Sequence, residues 1–415
     1  MLRNYLKVAF KVLLRRRFYT FISLFGIAFT LVVLTVAAAF LDHVFGAHPP
    51  ETRADRTRGV YMIFTANATT TRTMTFPGYA FLDRYVRTLP GVERVSLYTF
   101  QEKVVTYQDG VRIEAYRKYT DGAFWQIMDF RFLEGGPFSA KDDEERNRVA
   151  VINATTRQRF FGDQAAVGRT VEIDGERFRV VGVVEDVSYL RLTPFADVWL
   201  PIGTIRNESY RTSYLGNFMA AILAPRAQDL PRIAEEYRSA LARIESPNPK
   251  RFTEVRGGID TTFGVLSRML FSHQTFDESR PGQLLGWLVG IAFLFMLLPT
   301  VNLVNVSVSR ILERASEIGV RKAFGASSWT LVGQFLVENV VLTLIGGLLG
   351  FLLAALVLGG INGSGLFPYA RFSLNGRVFL YGFLLTLFFG VLSGVYPAWK
   401  MSRLHPVDAL KGALR

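Results

Sequence analysis

RILERASEIGVRKAFGASS, residues 310–328, is a short charged stretch held between two long apolar ones, and its reading decides the fold. Residues 281–309 before it carry no charge, and residues 323–370 after it carry only Glu338. Inside the stretch Ile311, Leu312, Ala315, Ile318, Gly319 and Lys322 recur at helical spacing, while Glu313, Arg314, Glu317 and Arg321 fill the rest. That pattern predicts an amphipathic helix. Glu317 precedes Arg321 by four residues, the favourable order for a pair on a helix surface. Gly325 supplies a C-terminal stop. A short helix pinned by two membrane spans is a lever, because its ends cannot move without moving the spans.

Working outward, the chain is 50% hydrophobic and only 20% charged over 415 residues. A span needs about 20 apolar residues, and four segments qualify: 18–41, 284–308, 329–358 and 378–398. As helices they satisfy their backbones internally, which the bilayer interior demands. The expected fold is a membrane protein of four transmembrane α-helices, with a large α+β domain, 42–282, between the first two. The apolar run after the basic N-terminus is too long for a cleaved signal peptide and reads as an uncleaved first span.

Charge sets the orientation. Residues 1–17 hold six basic side chains and no acid, and the 309–328 bridge and the 399–415 tail are also net basic. An even number of spans puts all three on one side, so the positive-inside rule makes both termini and the bridge cytoplasmic. Residues 42–282 and the loop 359–377 then lie outside. This placement accounts for the net charge of +13 without nucleic acid as a partner. Residues 1–17 form an amphipathic pattern that fits a helix lying on membrane lipid. With no cysteine in the chain, disulfides, thiolate metal sites and cysteine nucleophiles are excluded.

Within 42–282 the pattern predicts strands at 59–65, 148–152 and 197–201 and hairpins at 104–116 and 170–184, the latter turning at Asp174-Gly175. Helices are expected at 79–89, 154–161, 230–244 and 259–282. The acidic run 142–145 lacks the spaced ligands of a calcium loop and reads as a solvated turn.

Catalytic motifs are missing. No Gly-Lys dipeptide occurs, so no Walker-type phosphate loop exists, and neither HExxH nor GxSxG is present. The four histidines are scattered, and no metal site is expected. Glu338 is the one ionisable residue inside a span, with Gln334 one turn before it, and the pair reads as an interhelical hydrogen-bonding group. Asn302 and Asn305, after Pro299, read as packing polar groups at a kink. Gly346/Gly350 and Gly390/Gly394 are small-xxx-small pairs that let helices approach closely.

Residues 317–327, EIGVRKAFGAS, followed by Gln334-Phe-Leu-Val-Glu338, resemble the cytoplasmic loop and third span of the MacB/FtsX-like permeases of ABC transporters. Residues 394–398 and 402–411 resemble the end of that family, 4–28 its start, and 148–184 its extracytoplasmic domain. The resemblance implies a permease dimer served by a cytoplasmic ABC ATPase, with ATP bound by the partner and no cofactor in this chain. The bridge would be the coupling helix, in which Glu317, Ile318, Gly319, Val320, Arg321, Lys322 and Gly325 meet the ATPase. Some members carry a fused ATPase or two copies of the four-span unit. This chain has neither, so a separate ATPase and a second permease chain, identical or related, are expected. The function expected is that of a non-enzymatic permease subunit of an exporter or mechanotransmission complex in a bacterial inner membrane, engaging a periplasmic adaptor. The alternative is an FtsX-type regulator that activates a periplasmic cell-wall hydrolase.

Overall fold

The computed structural model describes residues 2–15, 17–66, 72–108, 111–244, 252–271, 278–312, 320 and 327–402. The chain forms two compact units, one of Met1–Asp42, Gly286–Leu366 and Phe372–Arg415, the other of His43–Leu285 and Phe367–Arg371. It begins with α1 (Leu2–Arg15) and continues into α2 (Arg17–Phe45), the longer of the two and almost wholly apolar.

The second unit is α+β. Its strands are β1 (Thr57–Val60), β2 (Ile63–Ala66), β3 (Arg72–Pro77), β4 (Arg94–Thr99), β5 (Glu102–Gln108), β6 (Val111–Thr120) and β7 (Phe132–Gly135). They continue as β8 (Val149–Asn153), β9 (Thr170–Ile173), β10 (Glu176–Val184), β11 (Val198–Pro201), β12 (Leu215–Gly216), β13 (Phe218–Leu223) and β14 (Glu254–Gly257). Between them lie α3 (Tyr79–Tyr85), α4 (Phe124–Ile127), α5 (Ala140–Glu144), α6 (Ala154–Phe161), α7 (Leu230–Ala242) and, after β14, α8 (Thr262–Phe271). One sheet runs β1-β13-β4-β6-β11-β8-β10-β7, with β5 added to β6 and β9 to β10; a second runs β12-β3-β2-β14. In the large sheet only β6–β11 and β8–β10 pair in parallel. The halves of that sheet meet at a single aligned pair, Tyr98 opposite Thr120.

The core explains the strands that sequence periodicity misses. Every residue of β13, FMAAIL, is buried. Phe218, Ala220 and Ile222 face Phe81, Leu82, Ile233 and Tyr237 from α3 and α7. Met219, Ala221 and Leu223 face Phe124, Trp125 and Trp199. A strand covered on both faces has no polar alternation to reveal it. β8, which the sequence does mark as a strand at 148–152, is also buried throughout, dividing Val149 and Val151 from Ala150 and Ile152 between two clusters.

Three expectations need correction. The helix expected at 259–282 covers only Thr262–Phe271 as α8: Asp260 before it bridges Gly59, residues 278–280 are not helical, and 272–277 lie outside the described residues. The strand expected at 59–65 is two strands in two sheets. Val60 pairs with Ala220 and Ile63 with Thr75 and Gly257, so the chain changes sheet at Tyr61-Met62. The acidic run at 142–145 is a helical turn rather than a plain one, since α5 is capped reciprocally by Ser139 and Asp142. The hairpin at Asp174-Gly175 has the positive φ at both turn positions, 54° and 73°, that a tight two-residue connection requires.

The chain then enters α9 (Pro281–Leu312), α10 (Ser328–Ser364) and α11 (Gly376–Ser402). Among the described residues three stretches are long and apolar enough to cross a membrane: Arg17–Phe45, Pro281–Asn302 and Val332–Ser364. The apolar stretch in α11, Gly376–Leu392, is shorter. In this unit Ala9 and Leu13 of α1 bury with Ile27 and Leu31 of α2 and Val341 and Leu342 of α10. Part of the apolar face of α1 is therefore spent on protein rather than lipid, while Phe10 and Leu14 of the same helix stay exposed.

Candidate functional site

The bridge runs from the end of α9 to the start of α10. α10 starts cleanly because Ser327 caps it: its hydroxyl accepts from the Thr330 amide at 3.2 Å. Val320 is helical and 45% exposed, an apolar side chain open to a partner. Glu317, Ile318, Gly319, Arg321, Lys322 and Gly325 lie outside the described residues.

Behind the bridge, α10 carries a buried polar row. Gln334, Glu338, Asn339 and Thr343 are all nearly inaccessible, with Glu338 at 2%. Gln334 Nε2 donates to Glu338 Oε1 at 3.4 Å, one turn apart on the helix, and Thr343 Oγ1 donates to the Asn339 carbonyl at 2.9 Å. The row continues into the glycines. A Cβ at Gly346 would stand 2.8 Å from Cγ2 of Ile27, and one at Gly350 would stand 3.0 Å from Cβ of Leu31, so α2 lies against α10 at backbone distance. On α11, Gly390 lies against the Thr343 side chain. Asn302 of α9 is half-buried and Asn305 is exposed. Helices packed this closely interdigitate with little free space between them.

In the other unit, a cleft of about 230 Å³ lies where the halves of the large sheet meet, lined by Glu102, Arg117, Asp174, Glu176 and Arg206. Its charges are paired: Arg117 donates to Glu102 at 2.8 Å and to Asp174 at 3.0 Å, and Arg206 to Glu176 at 2.6 Å. A second cleft, about 410 Å³, holds Asp121 and Asp143 beside Arg87 and Arg211. Burial pushes the Asp143 carboxyl up to about 6, against the Gly203 amide that donates to it at 2.6 Å. Sequence reading sees Asp143 only as part of an acidic run and Asp174 only as a turn residue, and it finds none of these pairings, because each joins residues well apart along the chain. Among the described residues no group of side chains is arranged to hold a metal ion.

The chain matches the MacB-like periplasmic core domain over residues 20–240 and the FtsX-like permease C-terminal domain over residues 289–406. It is 31% identical, over 69% of its own length, to the macrolide export ATP-binding/permease protein MacB of Pasteurella multocida, of which the aligned part is 41%. The chain thus spans about two fifths of that relative. It is 25% identical to the uncharacterized ABC transporter permease YknZ of Bacillus subtilis, over 78% of this chain and 76% of YknZ. The crystal structure of the periplasmic region of MacB from Actinobacillus actinomycetemcomitans aligns at a TM-score of 0.38 and 14% identity, covering 52% of this chain and 93% of that one.

Proposed function

Because the chain belongs to the MacB/FtsX-like family of ABC transporter permeases, we propose that it is the permease subunit of a complex in a bacterial inner membrane. In this reading, ATP hydrolysis by a separate cytoplasmic ATPase moves the unit built on His43–Leu285. The observation that carries it is the arrangement around the bridge. A charged, helix-patterned segment sits between α9 and α10, and α10 is locked at glycine contact to α2. Glu317–Lys322 offer charges of both signs and a small Gly319, which suit a docking contact with a soluble subunit. With no phosphate loop of its own, the chain supplies motion rather than chemistry. A second permease chain completes the assembly, and both termini are cytoplasmic.

The test is a mild-detergent pull-down of the tagged chain from its native membrane, read by mass spectrometry, beside an Arg321→Glu, Lys322→Glu double variant. An ATPase is expected with the wild type and a loss of at least tenfold from the variant. Equal recovery from both would remove the bridge as the docking site. A folded chain that brings down no ATPase would remove the permease reading. A cell-wall hydrolase recovered alongside the ATPase would favour regulation over export.

A further inference from the structure

The connection between β10 and β11 is a loop by its backbone but a core by its burial. Val187, Ser188, Arg191, Thr193, Phe195, Ala196 and Asp197 are each less than 9% exposed. Connecting loops run over the surface because their backbone groups need water. Here side chains replace the water. Lys118, on β6 and fully buried, donates from Nζ to the carbonyls of Leu192 at 3.0 Å and Thr193 at 2.6 Å. The Thr193 hydroxyl in turn lies 3.2 Å from that of Tyr61.

Two ties leave this loop. Arg191 donates from Nε and Nη2 to Glu51 at 2.9 and 2.6 Å, from Nη2 to the Gly46 carbonyl at 3.0 Å and from Nη1 to the His43 carbonyl at 3.2 Å. His43 is in the last turn of α2 and Gly46 follows it, so the guanidinium neutralises the carbonyl end of that helix. Six residues on, Asp197 accepts from the Tyr369 hydroxyl at 2.8 Å, while the Tyr116 amide and the Asn153 side chain hold the same carboxylate at 2.8 and 2.9 Å. The Tyr189 amide donates to the Pro368 carbonyl at 3.1 Å. Tyr369 belongs to Phe367–Arg371, the part of the α10–α11 connection that folds with this unit. It keeps a left-handed backbone, φ 60°, which is unfavourable for tyrosine and persists where surrounding contacts hold it.

We propose that residues 186–197 are the junction at which this unit is fastened to two of its chain connections, α2 and the α10–α11 connection, with Arg191 and Asp197 as positioning residues and Lys118 as the anchor that ties the junction to the large sheet. The proposal rests on the transmission reading above and gives it an address. Motion arriving through α2 and through the α10–α11 connection converges on twelve residues. It passes to the sheet through β6, whose Trp199-paired Lys118 sits beside β11.

Hydrogen–deuterium exchange on the full chain in lipid nanodiscs tests the fastening. Tyr369→Phe removes one hydroxyl and leaves the ring. It is expected to speed exchange at least tenfold at the Tyr189 and Asp197 amides, and measurably in peptides covering 43–51, with β13 unchanged. Arg191→Gln should give the same pattern from the other side. A response confined to 367–371 would overturn the junction. In the complex with the co-purifying ATPase, ATP is expected to change exchange across 186–197 in the wild type and at least fivefold less in Tyr369→Phe. An ATP response elsewhere in 43–285 that bypasses 186–197 would overturn the junction and leave the transmission reading standing. No ATP response anywhere in 43–285 would overturn both.

Discussion

Asp143 shows what a single side chain contributes. Its folded carboxyl titrates at about 6 against an ordinary 3.8, chiefly because burial disfavours its charge, with Asp121 adding repulsion and Arg87 and Arg211 opposing it. Between about pH 4 and 6 the folded chain holds a proton that the unfolded chain has released, so stability falls as pH rises through that window. Asn at this position keeps an acceptor for the Gly203 amide and carries no charge. Asp143→Asn should therefore leave thermal stability unchanged near pH 4 and raise it by about 1–2 kcal/mol at pH 7.5, the partial exposure of the group trimming the full shift. Unfolding curves of the full chain in detergent at both pH values check this, and a gain equal at the two would refute the electrostatic cause. At this scale the sequence is legible only where a residue acts on its own neighbours. Asp174-Gly175 declares its turn. Lys118, which burial pushes down to about 7, and Arg191 look like any surface cation, because their partners lie more than 70 residues away.

Among elements, α2 and α10 pack at glycine distance, with Gly346 of α10 against Ile27 of α2. Ile27 is β-branched and has little rotamer freedom in a helix, so it cannot swing away from a new side chain at Gly346. Gly346→Val should lower the thermal stability of the detergent-solubilised chain by about 1–3 kcal/mol through overpacking, and Ile27→Ala in the same chain should restore most of it. Failure of that rescue would place the strain elsewhere. The small-xxx-small spacing made this pair visible in the sequence, though not the helix it meets. Amphipathic or turn-bounded elements such as α6, β9 and β10 are readable because polarity alternates across them. β13 has no such contrast, and the short edge strands β7 and β14 offer too few residues to set a period.

For the whole molecule, the cysteine-free sequence gives a direct test of orientation. Leu133 and Val320 are both well exposed. In spheroplasts a membrane-impermeant maleimide should label Leu133→Cys at once and Val320→Cys only after permeabilisation; the reverse order would invert the topology. Charge placement carries that expectation in the sequence, and the domain at 42–282 is readable there too, whereas nothing in the composition of Phe367–Arg371 marks it as belonging with residues 43–285. That membership has a consequence in time. The ribosome delivers His43–Leu285 first and Phe367–Arg371 roughly 80 residues later, on the order of 4–16 s at 5–20 residues per second. Until then Asp197 waits without its tyrosine, and a nascent chain halted before residue 367 should show faster proteolysis within 186–197 than the completed one. In the proposed topology the unit of His43–Leu285 therefore completes its contacts only once α10 has been made, which ties its maturation to membrane insertion.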